Sequence, residues 1–381
     1  MKYKIYIVLF FCAFLCACNS NNNCNIAEEA EVKFKPLSET IMVEDIKEYV
    51  EDIVFVPIAN ETNALISDIA KVLVDTNNDI YILDTRSTIT VYDKTGKFKM
   101  KISNKGRATN EYLGISDFAL NSDEVVILDG LKIKCYNKNT GDYTRTIDIP
   151  FKTPCDAIAP DANGGMYLYA AYPADPNLID KTKDFLLYRI DKDGKIVEQL
   201  VPRLDNTISL YNISQSQPNK YYLRPQNNSH IFYELAHGYI LAKYQFDFEE
   251  QNIPHRYFFN NAQEDLGNYI MSDYYKLPMS FYETQKSIFL KVCGPQAKEI
   301  NIVYSKDSSN GIRWNNLLDD LSMQISASDG EYFYAILPEL QMEDIKLHGP
   351  FYKFVIEMLR KQDQKWLQKT YLVKVKFKAC A

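Results

Sequence analysis

"ISDIAKVLVDTNNDIYILDTRSTITVYDKTGK" at residues 66–97 and "ISDFALNSDEVVILDGLKIKCYNKNTGD" at residues 115–142 are two copies of one pattern. Each opens Ile-Ser-Asp-apolar-Ala, turns, and runs through an apolar strand ending in Leu83-Asp84 or Leu128-Asp129. Another strand follows, and a tight turn closes on Gly96 or Gly141. These two glycines are 45 residues apart, as are Asp84 and Asp129, and the Ile-Ser-Asp openings are 49 apart. A third such turn ends at Gly194. A period of about 40 to 50 residues with about four strands per repeat marks propeller blades, because each small sheet needs neighbours to bury its faces. A β-sandwich also uses short strands, but nothing in it requires one pattern to recur at one period.

Outward from these copies the repeat diverges. A third blade runs from Asp156 to about Pro202, with a polar insertion at Pro173–Lys183. "SHIFYELAHGYILAKYQFDF" (229–248) reads as the central hairpin of a fourth blade, and "SFYETQKSIFLKVC" (280–293) with "KEINIVYS" (298–305) as a fifth. "MQISASDGEYFYAIL" (323–337) begins a sixth, which "TYLVKVKF" (370–377) completes. Between these two, Met342–Lys361 has helical apolar spacing, a stripe that suits core packing. "YVEDIVFVPI" (49–58) is a strand with no blade of its own, and pairing it with the C-terminal sheet closes the ring and removes an exposed edge. The expected fold is all-β, a six-bladed propeller of four-stranded antiparallel blades, closed by N- and C-terminal strands, with a small helical insertion in the last blade.

On "YVEDIVFVPI", "GRATNEYLGISDFAL", "KYQFDFEEQNIP", "SFYETQKSIFL" and the terminal "YLVKVKFK", the chain resembles the six-bladed β-propeller lipoproteins of Bacteroidota, relatives of NHL and TolB-type propellers. The likeness spans roughly Tyr49 to Lys378 and implies fold rather than activity, since none of these segments is an enzymatic motif. That family often carries a Gly-Pro-Gly-Glu-Tyr-like loop. Here it reads Gly106-Arg-Ala-Thr-Asn-Glu111-Tyr112, which puts in doubt any role resting on glycine flexibility.

At the N-terminus, Lys2 and Lys4 precede an uncharged apolar run, Ile5–Ala17, too short to span a bilayer. It ends in Leu15-Cys16-Ala17-Cys18, which resembles a bacterial lipobox with cleavage before Cys18 and lipid on its thiol. Residues 1–17 are thus expected to be a signal peptide, 18–40 a lipid-anchored flexible tether, and 41–381 the propeller. Asn19 in place of an inner-membrane retention Asp points to an outer-membrane lipoprotein. Acidic residues begin only at Glu28, which tilts the placement towards the periplasmic face over the cell surface.

Net charge is −7, and −9 once Lys2 and Lys4 are removed with the signal peptide. A domain this acidic is a poor partner for nucleic acid or an anionic membrane face, so its membrane association is assigned to the lipid. The 28 Tyr and 20 Phe favour strands. Cysteines 24, 135, 155, 293 and 380 lack a CxxC pair, and the four histidines lack ligand spacing. Cys135 and Cys155 read as separate buried thiols, with a bridge as the alternative.

Propellers bind ligands at the channel mouth, where loops from several blades meet. Asp68, Asp117 and Asp156 recur at the start of the inner strand, with Asp319 or Asp320 as a fourth. Each suits a turn acceptor of backbone N–H groups, and together they could form a carboxylate ring for Ca²⁺. Arg107, Glu111 and Tyr112, and Arg313 with Trp314 beside Asn315 and Asn316, join aromatic faces to polar handles suited to a glycan, a peptide or a partner protein. No nucleophile elbow, phosphate loop or zinc-helix motif occurs, so no catalytic residue and no cofactor beyond that Ca²⁺ is assigned. The expected role is a binding or scaffolding module. The alternative is a propeller enzyme, either a Ca²⁺-dependent lactonase-like hydrolase or a polysaccharide lyase.

Overall fold

The computed structural model describes residues 29–58, 68–150, 154–170, 185–202, 213–223, 231–236, 239–254, 268, 271–276, 278–316, 324–337, 349–363 and 369–378. Three strands come first: β1 (Val32–Phe34), β2 (Thr40–Met42) and β3 (Val50–Ile58). Blade 1 is β4–β7 (Ile69–Val74, Ile80–Asp84, Ile89–Tyr92, Phe98–Ile102), and blade 2 is β8–β11 (Asp117–Leu120, Glu124–Asp129, Lys132–Asn137, Tyr143–Asp148). Blade 3 is β12–β15 (Ala157–Pro160, Met166–Tyr169, Leu187–Ile190, Ile196–Gln199). Blade 4 holds β16–β19 (Ile213–Gln217, Lys220–Leu223, Ile231–Ala236, Tyr239–Phe246), and blade 5 holds β20–β23 (Pro278–Glu283, Ser287–Cys293, Glu299–Ser305, Gly311–Asn316). Blade 6 combines β24 (Ile325–Ser328), β25 (Phe333–Leu337) and β26 (Thr370–Phe377) with β3.

The repeat works because a blade is buried on both faces. In β5 every residue is buried: Ile80 and Ile82 join the core between blades 6 and 1, while Tyr81 and Leu83 join the core between blades 1 and 2. In β9, Val125 and Ile127 face blade 1, and Val126 and Leu128 face blade 3. Successive side chains of a strand point to opposite faces, so a strand covered on both sides reads as a continuous apolar run. Six buried clusters result, one at each junction between neighbouring blades.

Turns follow from local chemistry. Asp93 Oδ1 accepts from the backbone N–H groups of Thr95 (2.8 Å) and Lys97 (3.1 Å), and Gly96 takes φ +82°. A Cβ on Gly96 would stand 2.3 Å from the Pro57 carbonyl oxygen, so this turn seats against the closing strand only with glycine.

The ring closes as expected. β26 pairs antiparallel with β25 on one side and β3 on the other, from Thr370↔Ile58 to Phe377↔Val50. A helix, α1 (Pro350–Gln362), lies between β25 and β26. Its Phe351, Phe354, Val355 and Leu359 pack into the cluster between blades 5 and 6, as the apolar spacing implied.

Two expectations need correction. The tether does not extend to residue 40, because β1 adds a fifth, parallel strand to blade 4 and β2 does the same for blade 5. With β3 on blade 6, the N-terminal segment straps the outer edges of three successive blades. Its polarity misled: Glu31 and Lys33 point outward while Phe34 is buried among Tyr244, Phe246 and Tyr304. Residues 229–248 hold the outer hairpin of blade 4, β18–β19, and not the central one. The helix starts at Pro350, and residues 342–348 lie outside the described residues, as do the insertion at 173–183 and Asp319 and Asp320.

Inner strands begin at one end of the ring, here the upper face, and finish at the lower face. Side chains join blades across the lower face. Tyr221 of blade 4 belongs to the cluster between blades 3 and 4, and its hydroxyl donates to the Leu120 carbonyl of blade 2 (3.3 Å). Removing residues 370–381 should abolish cooperative folding, because β25 and β3 both lose their partner and the cluster behind them is opened. Loss of near-UV circular dichroism and of a sharp thermal transition would verify it; a truncated chain melting like the full chain would contradict it.

Candidate functional site

The connection from blade 1 to blade 2, residues 103–116, crosses the upper face as a braced platform. The Tyr112 hydroxyl donates to the carbonyls of Ser87 (2.7 Å) and Ile102 (3.2 Å), tying the loop to the turn that carries Arg86. Burial, helped by Tyr136 and the nearby Asp84 and Asp129, raises the Tyr112 phenol above its ordinary range, so it stays a donor. From blade 2, Lys134 Nζ donates to the Thr109 carbonyl (2.7 Å) and Tyr136 Oη to that of Asn110 (3.0 Å). Asp129 accepts from the backbone N–H groups of Leu113 and Gly114 (3.2 Å each).

Within the loop, Glu111 Oε2 accepts from Ala108 N–H (2.8 Å), and a Cβ on Gly106 would lie 2.0 Å from that oxygen. Gly106 thus lets the Glu111 carboxylate lie close to its backbone.

This bracing displays other side chains. Arg86, Lys105 and Arg107 are exposed, and none has an ion-pair partner among the described residues. Leu113 is 63% exposed and Leu131, beside Asp129, is 42% exposed. Ile69, which pairs with Asp84 at the foot of the Arg86 turn, is 37% exposed. Exposed leucines thus stand beside exposed cations on a backbone held by hydrogen bonds from both neighbouring blades.

Of the residues singled out from sequence, Arg107 in the loop and Asp68 beside the Arg86 turn are exposed at this place. Tyr112 is fully buried and holds the platform from beneath, and Glu111 is spent on its turn. Trp314 is fully buried between blades 5 and 6, its ring 6.3 Å from Phe351 and 6.1 Å from Phe377, so no sugar can stack on it. Arg313 Nη1 sits within hydrogen-bonding distance of the carbonyls of Pro36 (3.0 Å), Leu37 (3.0 Å) and Thr40 (2.7 Å), clamping the strap onto blade 5.

The aspartates do not converge either. Asp117 is buried, paired with Lys71 Nζ (2.5 Å) and accepting from Ile158 N–H (3.0 Å), which ties blades 1, 2 and 3 together. Asp68 is exposed at the upper rim, and Asp156 donates its N–H to the Tyr169 carbonyl. Among the described residues, no three His, Cys, Asp or Glu side chains gather into a metal-holding group. Cys135 and Cys155 are separate buried thiols, and burial raises both above the usual range, Cys135 to about 12. Cys18 lies outside the described residues.

Sequence reading missed two features. The exposed leucines had a signal: Leu113-Gly114 and Gly130-Leu131 place a large apolar residue next to glycine, outside any strand alternation. The other feature is a fully buried carboxylate, Glu283, between blades 4 and 5. It accepts from Lys220 Nζ (2.6 Å), Lys306 Nζ (2.7 Å), Ser216 Oγ and the hydroxyls of Tyr222 and Tyr244 (3.1 Å each). Glu234, 3.8 Å from Lys220, brings the group to two ammonium groups and two carboxylates. Burial opposes the charge on Glu283, but Lys306 and Lys220 outweigh it and hold the carboxyl below its usual range. Ser328 Oγ donates to the Glu283 carbonyl (2.7 Å), joining blade 6. Lys306 Nζ also donates to the Thr284 carbonyl (2.6 Å), and the network fastens the lower face of three blades.

Two substitutions separate these roles. Trp314→Ala should cost about 3–5 kcal/mol of stability, as a cavity in a packed cluster does; denaturant titration measures it, and a loss under about 1 kcal/mol would refute the buried placement. Glu283→Gln leaves two half-buried ammonium groups, Lys220 and Lys306, short of a counter-charge and should cost about 1–3 kcal/mol near neutral pH. A folded-state pKa held below the unfolded value of about 4.3 gives stability that is present above that value and lost as pH falls through the folded one. The wild type should therefore lose stability on acidification below about pH 4, while the variant shows a flatter acid limb. Equal acid limbs in thermal melts would show that Glu283 carries no such charge.

The fold recurs in a solved structure. A Bacteroides fragilis protein described as exported superposes with a TM-score of 0.70 at 20% identity, covering 91% of this chain and 99% of its own. The extracellular domain of a Bacteroides thetaiotaomicron one-component system matches at a TM-score of 0.39 and 14% identity, over 75% of this chain and 32% of its own. No curated protein sequence is measurably similar. Residues 38–367 match one family model, from the strap through nearly the whole ring, and the chain thus belongs to the family described as a domain of unknown function, DUF4934.

Proposed function

We propose that this propeller is a non-catalytic binding or scaffolding module of the bacterial envelope, meeting its ligand on the upper face around Arg107. One observation carries this reading: the 103–116 platform holds Arg86, Lys105, Arg107, Leu113 and Leu131 at the surface on a backbone fixed from both neighbouring blades. Most other ionic groups described above are used within the ring. A pre-fixed surface loses little conformational freedom on binding, which favours recognition.

The Ca²⁺-dependent hydrolase or lyase reading needs carboxylates converging at the channel mouth, and no observation favours it. Export fits the short apolar N-terminus, and the fold neighbour described as exported agrees with it. In this reading Cys18 carries lipid, the ring hangs at the outer membrane with the periplasmic face preferred, and kinship runs to NHL and TolB-type propellers.

Two measurements test it. Cys18→Ser should move the protein from the membrane to the soluble fraction on cell fractionation, and unchanged retention would remove the anchor. Arg107→Ala with Leu113→Ser should keep the wild-type melting temperature yet weaken capture of the ligand from glycan, peptide and envelope-protein panels by about tenfold. Binding that survives both changes would move the site elsewhere, and turnover of any screened polymer or lactone would overturn the non-catalytic reading.

A further inference from the structure

We infer that the ligand of the upper-face platform is a protein segment in which carboxylate side chains flank apolar ones. This deepens the binding role proposed above and rests on it. Charge sets the sign. Arg86, Lys105 and Arg107 stand exposed, without ion-pair partners among the described residues, on a chain whose net charge is −7, so the platform's outer surface groups three cations on an acidic protein. The exposed acid beside it is Asp68, whose carbonyl accepts from Thr85 N–H next to Arg86. Lys132, on the far side of Leu131, has Asp148 4.0 Å away and is partly neutralised. The carboxylates of Glu111, Asp129 and Asp84 are half-buried or buried and turned onto backbone N–H groups, so the charges that reach solvent are three exposed cations against exposed Asp68, and Arg86 and Arg107 suit carboxylates because a guanidinium can grip both oxygens at once.

Shape and polarity choose the class. Sugars are held by flat aromatic faces, and the aromatics here, Tyr112 and Tyr136, are buried beneath the loop. What reaches solvent is aliphatic: Leu113, Leu131 and Ile69. Branched aliphatic side chains make non-directional contacts with other aliphatic side chains and add nothing for a hydrated phosphate or an acidic sugar. A polyanion such as nucleic acid would meet the cations but leave the leucines uncovered, and the acidic body of the ring would repel it. An acidic, apolar protein segment covers both at once. The platform backbone is already ordered through Thr109, Asn110, Tyr112, Leu113 and Gly114, so it need not rearrange to receive that segment.

A random peptide display library selected on the full-length protein tests this. Enriched peptides should combine Asp or Glu with Leu, Ile, Val or Phe, and one of them, synthesised and labelled, serves as the probe. Its affinity should fall by about tenfold or more between about 0.05 and about 0.5 M salt, because exposed ion pairs are screened. Lys105→Glu with Arg107→Glu should abolish binding, while Leu113→Ser with Leu131→Ser should weaken it at every salt concentration. All four residues are exposed, so both variants should melt as the wild type does. Enrichment of neutral or basic peptides, no enrichment, or affinity indifferent to salt and to the charge reversal would overturn the acidic-segment partner. If an oligosaccharide binds instead and Leu113→Ser with Leu131→Ser abolishes that binding, the upper-face site stands and this partner class falls. If the leucine and charge variants leave all binding intact, the site falls with it.

Discussion

Pairing between Val50–Ile58 and Thr370–Phe377 is the constraint on which the rest of the molecule depends. Each blade exposes two apolar faces and can bury neither alone, so every sheet relies on both neighbours. In a ring that dependence is circular: blade 1 is covered on one side only because blade 6 exists, and blade 6 is complete only because the N-terminal strand returns to it. Gly96 records this directly, since the blade 1 turn packs onto the carbonyl of Pro57 in the closing strand. The strap reinforces the same region. Arg313 grips its carbonyls on blade 5, and Phe34 sits in the cluster between blades 4 and 5.

The two faces of the ring divide the work. On the lower face, Tyr221 spans from blade 4 to blade 2, and Glu283 binds two lysines, two tyrosines and a serine, a network that Glu234 beside Lys220 makes neutral. Such groups cost free energy to bury and are tolerated because each finds its partners. On the upper face the buried polar atoms support the backbone from below and leave cations and leucines outside. That asymmetry underlies the assignment of recognition to the upper face, and it separates variants that would weaken the fold from variants that would weaken binding.

Much of the fold was legible because it is written in local, repeated chemistry. Asp93-to-Gly96 and Asn137-to-Gly141 make their turns with their own side chains and glycine φ, wherever they stand in the ring. Alternation within "YILD" and "VVILD" served two interfaces at once and showed as an apolar run. The strap was less legible, since Val32–Phe34 has too few residues to show a period and its outward positions are charged. Trp314 and Tyr112 were read as surface residues because an aromatic beside amides or a guanidinium has the same composition inside and outside. Arg107 was legible as part of its loop, but its companions Leu113 and Leu131 were passed over.

By itself the sequence determined the period, the six blades, the hairpin turns and the closing strand, all of which depend on residues near one another or on an edge that must be covered. Only the tertiary structure decided which face of each strand meets a neighbour, and hence which polar and aromatic side chains are spent inside. Glu283 and its partners lie at positions 216, 220, 222, 244 and 306, with no spacing that announces them, because blades separated along the chain bring them together. Arg86 and Arg107 share a platform for the same reason: the hydroxyl of Tyr112 reaches back 25 residues to the carbonyl of Ser87.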